Sequence, residues 1–150
     1  MHTVEIAAAW STFAVDMGND RQRDLLAITA GTIRLTSGVS FLVAPKAASA
    51  IWGSDPDDNP TASLLLRSMG YRDALVGALL LRSGLKNDAS TSGWFLASAG
   101  ADLADLVGGL ANHDRLPERS RTVGLGGAIV GVAVGVLGAA RARRSQRVRA

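Results

Sequence analysis

The sequence predicts an all-α protein, in which a short N-terminal amphipathic helix precedes a four-helix transmembrane bundle. The chain divides into four mainly apolar segments joined by polar loops that contain Pro, Asn and Asp. The run from Val123 to Ala140 has no charged side chain, and its length suits a membrane-spanning helix. The mean hydropathy of +0.18 is low for a membrane protein, so a soluble helical domain is the alternative.

The composition excludes several classes of protein. The chain has no Cys, which excludes disulfides, thiolate catalysis and cysteine-ligated metals. Its two histidines, His2 and His113, lie far apart in the sequence, so we expect no metal site and no cofactor. The net charge is +3, and five arginines crowd the last ten residues without interleaved aromatic side chains. That pattern does not favour nucleic acid as a partner.

The predicted domains are an amphipathic segment at 1–24, a membrane domain at 25–140 and a basic tail at 141–150. In the first segment, apolar residues at helical spacing indicate a helix that either lies at the membrane interface or caps the bundle. The first span is Leu25–Val43, with Arg34 near its centre and Pro45 ending or kinking it. The apolar residues of the N-terminal segment are Ile6, Trp10, Phe13 and Met17.

The second and third predicted helices carry charges at mid-length. The second, Thr61–Ser83, contains Arg72 and Asp73 beside two glycines. The third, Gly93–Asn112, has two aspartates three residues apart, which therefore share one face of the helix. An apolar helix tolerates such a polar seam only where positive partners meet it.

The fourth helix carries a glycine stripe that includes a GxxxGxxxG pattern. Such glycines weaken a helix in water but allow close packing in a bilayer. We interpret the stripe as a packing face within the monomer; a homodimer or larger membrane complex is the sharper alternative. The stripe consists of Gly124, Gly127, Gly131, Gly135 and Gly138.

Basic residues predict the orientation of the four spans. An even number of spans puts both termini on one side of the membrane. That side would hold nine Lys and Arg residues near the helix ends, against four on the other side. The more basic side is normally cytoplasmic, so both termini are predicted there.

The predicted topology brings two arginines and three aspartates to one depth. We expect Arg34 to pair with either Asp102 or Asp105 and Arg72 to take the other, while Asp73 meets Arg34 from the opposite side. Mutual pairing removes most of the cost of placing these charges away from water.

The chemistry of this cluster has several readings. Ion pairs between helices often fix register without performing chemistry. Alternatively, the charges line a cavity for a small lipophilic or polar molecule, conduct protons or ions, or hold Mg²⁺ on Asp102 and Asp105. An enzyme would use Asp73, Asp102 or Asp105 as a general acid, with an arginine orienting a lipophilic substrate. A carboxylate without an arginine, facing an open cavity, would favour the enzyme.

These residues also resemble a known family. The motif G-x-R-D-x-x-x-G runs from Gly70 to Gly77 and is followed by D-x-x-D at Asp102 and Asp105. It resembles small four-span bacterial membrane proteins of a domain-of-unknown-function family, which are loosely similar to DoxX-like proteins. The resemblance implies a multi-pass protein of the bacterial inner (plasma) membrane with no established activity. The expected function is that of a non-enzymatic membrane subunit or small-molecule binder.

Overall fold

The computed structural model describes residues 23–51 and 60–149, and within these ranges the chain is all-helical, as predicted. A 3₁₀ turn, His113–Arg115, precedes the last helix. The amphipathic helix predicted before residue 23 lies outside the described residues. The helices are α1 (Leu25–Val43), α2 (Pro45–Ile51), α3 (Pro60–Lys86), α4 (Thr91–Ala111) and α5, which runs through Glu118–Ser120, the π-helical Arg121–Leu125 and Gly126–Arg149.

Two of the described helices, α1 and α5, are long and apolar enough to cross a membrane. The helices α3 and α4 do not meet that criterion. Both carry charged side chains near their middle, and these lower their hydropathy. The two candidate spans are compatible with a membrane protein, and the arrangement of four spans stays a prediction.

The first helix has the predicted bounds because local signals fix both of its ends. The Asp24 carboxylate accepts hydrogen bonds from the backbone N–H groups of Leu26 and Ala27, at 3.1 and 3.2 Å, and so caps the N-terminus. At the other end the helix stops at Val43, since the residue before a proline disfavours helical backbone angles. Pro45 then occupies the first position of α2.

The basic tail is helical, because α5 continues through it to Arg149. The sequence from Ala139 to Arg149 contains neither Gly nor Pro, and its Ala, Arg and Gln residues favour helix. The side chain of Gln146 also donates a hydrogen bond of 2.9 Å to the carbonyl of Ala89 in the α3–α4 turn. The predicted domain boundary at residue 141 therefore coincides with no helix end.

Helices α1 and α3 form a tightly packed antiparallel pair through glycines spaced by seven residues. A heptad spacing keeps the glycines on one face of each helix. At each of these positions a Cβ atom would clash with the opposite helix, so the two backbones lie in direct contact. The contacts are Gly31 with Leu81, Gly38 with Ala74, Gly70 with Phe41, Gly77 with Leu35 and Gly84 with Ala27.

Helices α4 and α5 form the second antiparallel pair. Gly135 packs on the backbone of Phe95 and Ala99, and Gly138 packs on the Phe95 ring. The two pairs meet at one end of the molecule, where α1 and α4 begin and α3 ends. There Ala27, Leu80 and Phe95 form a fully buried apolar core with Ala139.

The close contact between α1 and α3 makes a prediction. A Cβ atom at Gly77 would lie 2.9 Å from the carbonyl oxygen of Gly31, so Gly77→Ala should separate the helices and lower the thermal unfolding temperature. The measurement is circular dichroism of the purified protein during heating. Gly100→Ala is the matched control, because Gly100 is exposed with open space around an added Cβ. It should leave the unfolding temperature equal or higher. Equal effects of the two variants would refute the packing role of Gly77.

Candidate functional site

Arg34 joins three helices near the middle of α1. One terminal nitrogen, Nη1, donates to Oδ2 of Asp102 and Oγ of Ser98, each at 2.8 Å. The other, Nη2, donates to Oδ1 of Asp73 at 3.0 Å. The Arg34, Asp73 and Asp102 side chains are only 12–15 % exposed. The guanidinium thus ties α1 to its partner α3 and also to α4 of the other pair.

Arg72 makes the second bridge between the pairs. Its Nη1 and Nη2 atoms donate to Oδ1 and Oδ2 of Asp105 at 3.0 and 2.7 Å. This two-bond geometry is the strongest that an arginine and a carboxylate form. The Nε atom donates to Oδ1 of Asp73 at 3.1 Å, so Asp73 is shared between the two arginines. These five residues, Arg34, Arg72, Asp73, Asp102 and Asp105, are called the ion cluster below.

The structure brings all the residues of the predicted cluster together. Arg34 takes Asp102, Arg72 takes Asp105, and Asp73 meets Arg34 from the side of α3. Asp73 also contacts Arg72, its neighbour in the chain, a contact that helical spacing does not predict. Each of the three carboxylates thus contacts an arginine. An enzyme was expected to have a carboxylate without an arginine, and the cluster contains none.

A cavity of about 500 Å³ lies next to the ion cluster, between the two helix pairs. It occupies the end of the molecule where α1 and α4 finish and α3 begins, opposite the buried apolar core. The cavity is partly open, and its walls are mainly apolar. All three carboxylates of the cluster line it; the apolar wall includes Phe41, Leu66, Met69 and Leu125.

The polar groups of this cavity offer charge and hydrogen bonding to a bound molecule. Among the described residues, no group of three or more His, Asp or Glu side chains could hold a metal ion. Each of the three aspartates contacts an arginine through at least one carboxylate oxygen. The carboxylates and serines can accept hydrogen bonds from a bound molecule.

The glycine stripe of α5 is divided between two environments. Gly135 and Gly138 pack against α4 of the same chain, and a Cβ atom at Gly131 would clash with the Asp102 side chain. Gly124 and Gly127 are exposed and line the cavity, and nothing lies within 4 Å of a Cβ placed at Gly124. The π-helical turn Arg121–Leu125 changes the helical phase here, which the regular spacing assumed in the sequence analysis did not include.

Sequence reasoning missed the residues that form the cavity wall and one partner of Arg34. Ser98, which accepts a hydrogen bond from Arg34, lies outside the predicted cluster. The wall residues Phe41 and Leu66 carry no local signal, because their meeting depends on how the helix pairs dock. The spacing of seven between Gly70, Gly77 and Gly84 was a readable signal for the α1–α3 contact.

Fold and site together define a class: an all-helical protein of two glycine-packed helix pairs, joined by an ion cluster beside a cavity. A family model described as "Domain of unknown function (DUF4267)" matches residues 31–138 of the chain. The chain therefore belongs to this family, which confirms the predicted membership of a domain-of-unknown-function family. No curated protein and no solved structure gives a significant match.

Removing Arg34 should strongly destabilise the fold. Arg34→Leu leaves the largely buried Asp102 without its cation, and the free energy of unfolding should fall by about 3–5 kcal/mol. The double variant Arg34→Leu/Asp102→Leu should recover most of that loss, because it removes both charges. Chemical denaturation measures both effects, and the exposed Arg67→Gln is the control. If the single variant is as stable as the control, the ion pair does not support the fold.

Proposed function

We propose that the protein is a four-span membrane protein of the bacterial inner membrane that binds a small lipophilic molecule in the cavity, without catalysing a reaction. The observation that carries the binding proposal is the cavity, which is apolar, partly open and bordered by three carboxylates. Ligand sites in proteins typically combine an apolar wall with a few convergent polar groups in this way, and their volumes span about 300–1,000 Å³.

The distribution of side-chain size supports membrane residence. Buried positions in the described residues are largely Ala, Gly and Ser, whereas many large apolar side chains point outward. On α5, for example, Ile129, Val130 and Leu137 are 56–68 % exposed. Small residues between helices and large apolar residues outside them are the pattern of helices packed in lipid.

The ion cluster supports membrane insertion of the two less apolar helices. Asp73 and Arg72 on α3 and Asp102 and Asp105 on α4 are all paired. A charge inside a bilayer is tolerated when it faces the protein interior and meets an opposite charge. Pairing thus offers α3 and α4 a way to span although their hydropathy is below that of α1 and α5.

Three other functions compete with this proposal. As a subunit of a membrane complex, the chain would use the cluster only to hold its helices. As an enzyme, it would need a carboxyl group able to exchange protons, and each carboxylate of the cluster contacts an arginine. As a soluble helical domain, it would purify without detergent.

Cysteine labelling tests the topology directly, because the natural chain has no cysteine. A single cysteine replaces either exposed Asp114, between α4 and α5, or exposed Ala89, between α3 and α4. In intact spheroplasts, a membrane-impermeant maleimide should label Asp114→Cys, while Ala89→Cys should react only after the membrane is opened. Labelling of both sites in intact spheroplasts would refute four spans with cytoplasmic termini, and recovery in the soluble fraction would refute membrane residence.

Filling the cavity tests ligand binding. Gly108 lines the cavity with open space around an added Cβ, so Gly108→Leu should occupy the cavity and keep the protein folded. Lipophilic molecules that copurify with the natural protein, detected by mass spectrometry, should then be lost. Gly100→Leu on the same helix is the matched control, since its exposed position has similar space outside the cavity. Equal retention in the two variants would contradict the binding proposal.

A further inference from the structure

Among the described residues, the polar side chains that line the cavity are those of three aspartates and three serines, and a serine hydroxyl both donates and accepts. Among the described residues that line it, none is Arg, Lys or His. The carboxylates of Asp73, Asp102 and Asp105 accept but do not donate when ionised. The Ser49 hydroxyl already donates to the carbonyl of Lys46, at 2.9 Å. The three carboxylates therefore favour a ligand that donates hydrogen bonds to them.

The ion cluster beside the cavity also has an unbalanced charge. It contains two guanidinium groups and three carboxylates, so its formal charge is −1 when all are ionised. Arg34 and Arg72 both bind Oδ1 of Asp73, and Arg34 binds Oδ2 of Asp102. No described residue donates a hydrogen bond to the other oxygen of either carboxylate. These two oxygens can accept further hydrogen bonds, on residues that border the cavity.

The rest of the cavity offers room for a hydrocarbon group. Phe41, Leu66, Met69 and Leu125 give it an apolar wall, and its volume of about 500 Å³ exceeds that of a single amine headgroup. A negative site of this kind, partly removed from water, is stabilised most by a cation that also donates hydrogen bonds.

From these features we infer that the ligand of the cavity is a lipophilic amine, bound with its ammonium group against Asp73 and Asp102 and its hydrocarbon part against the apolar wall. This inference rests on the proposed binding function and specifies its ligand class. A fatty acid or other anionic amphiphile would bring a second negative charge to a site that already has one in excess.

Three probes of equal chain length test the inference: octylamine, octanol and octanoate. Binding is measured by calorimetry on the protein in phosphatidylcholine nanodiscs, with empty nanodiscs subtracted. Octylamine should bind at least about tenfold more tightly than octanol, which is typical for a hydrogen bond to a charged group, and octanoate should not bind. Asp73→Asn should remove the advantage of octylamine, while Asp88→Asn in the exposed α3–α4 turn should keep it.

The outcomes separate this inference from the proposed function. Tighter binding of octanol or octanoate, blocked by Gly108→Leu, would refute the amine as ligand and would still support the proposed binding function. Binding of none of the probes above the level of Gly108→Leu would overturn both. Because Asp73→Asn could unfold the protein, its circular dichroism is recorded; if it is unfolded, Asp102→Asn replaces it. If neither variant folds, the binding of octylamine and octanol to the natural protein is compared at low and high salt. The inference is overturned if salt weakens octylamine binding no more than octanol binding.

Discussion

The bridge made by Arg34 is the interaction on which the arrangement of the helices depends. Its guanidinium, 12 % exposed, contacts Asp73 on α3 and Asp102 on α4. A buried charge is costly unless it is paired. A shift of one helix pair relative to the other that breaks this bridge would therefore leave buried charges without a partner. Arg72 adds a second bridge to Asp105. The charges thus set one docking geometry, where apolar contact alone would allow several.

The glycines make this bridge possible, because they bring the backbones close enough for short reaches between side chains. Gly31 and Gly38 flank Arg34 on α1, and Gly70 and Gly77 flank Asp73 on α3. At these four positions a Cβ atom would clash with the opposite helix. Arg34 lies between two of these glycines, beside the contact of α1 with α3. From there its guanidinium reaches Asp102 on α4. The glycines and the charged residues therefore act together, since close packing at the glycines places the charges within reach of one another.

Features set by local sequence could be predicted, and features set by docking could not. Pro45 marks the end of α1, and the spacing of Asp102 and Asp105 foretold that both face the arginines. The cavity wall could not be predicted, since it forms where separate helices fail to meet. The helix continues beyond Ala140 because no Gly or Pro stops it. The π-helical turn of α5 has no simple sequence signal, and it moves Gly124 out of the packing face.

Glycines line the cavity at one end of the molecule, and glycines also allow close packing at the other end. Where Gly135 and Gly138 face the backbone and ring of Phe95, the missing side chains let the helices touch and the space closes. Gly108 and Gly124 meet nothing within 4 Å, so the same absence of side chains leaves a gap that the ion cluster borders. The pairs cannot collapse into it without breaking the Arg34 and Arg72 bridges. The cavity thus lies beside an ion cluster with one charge in excess, which supports the proposed ligand site.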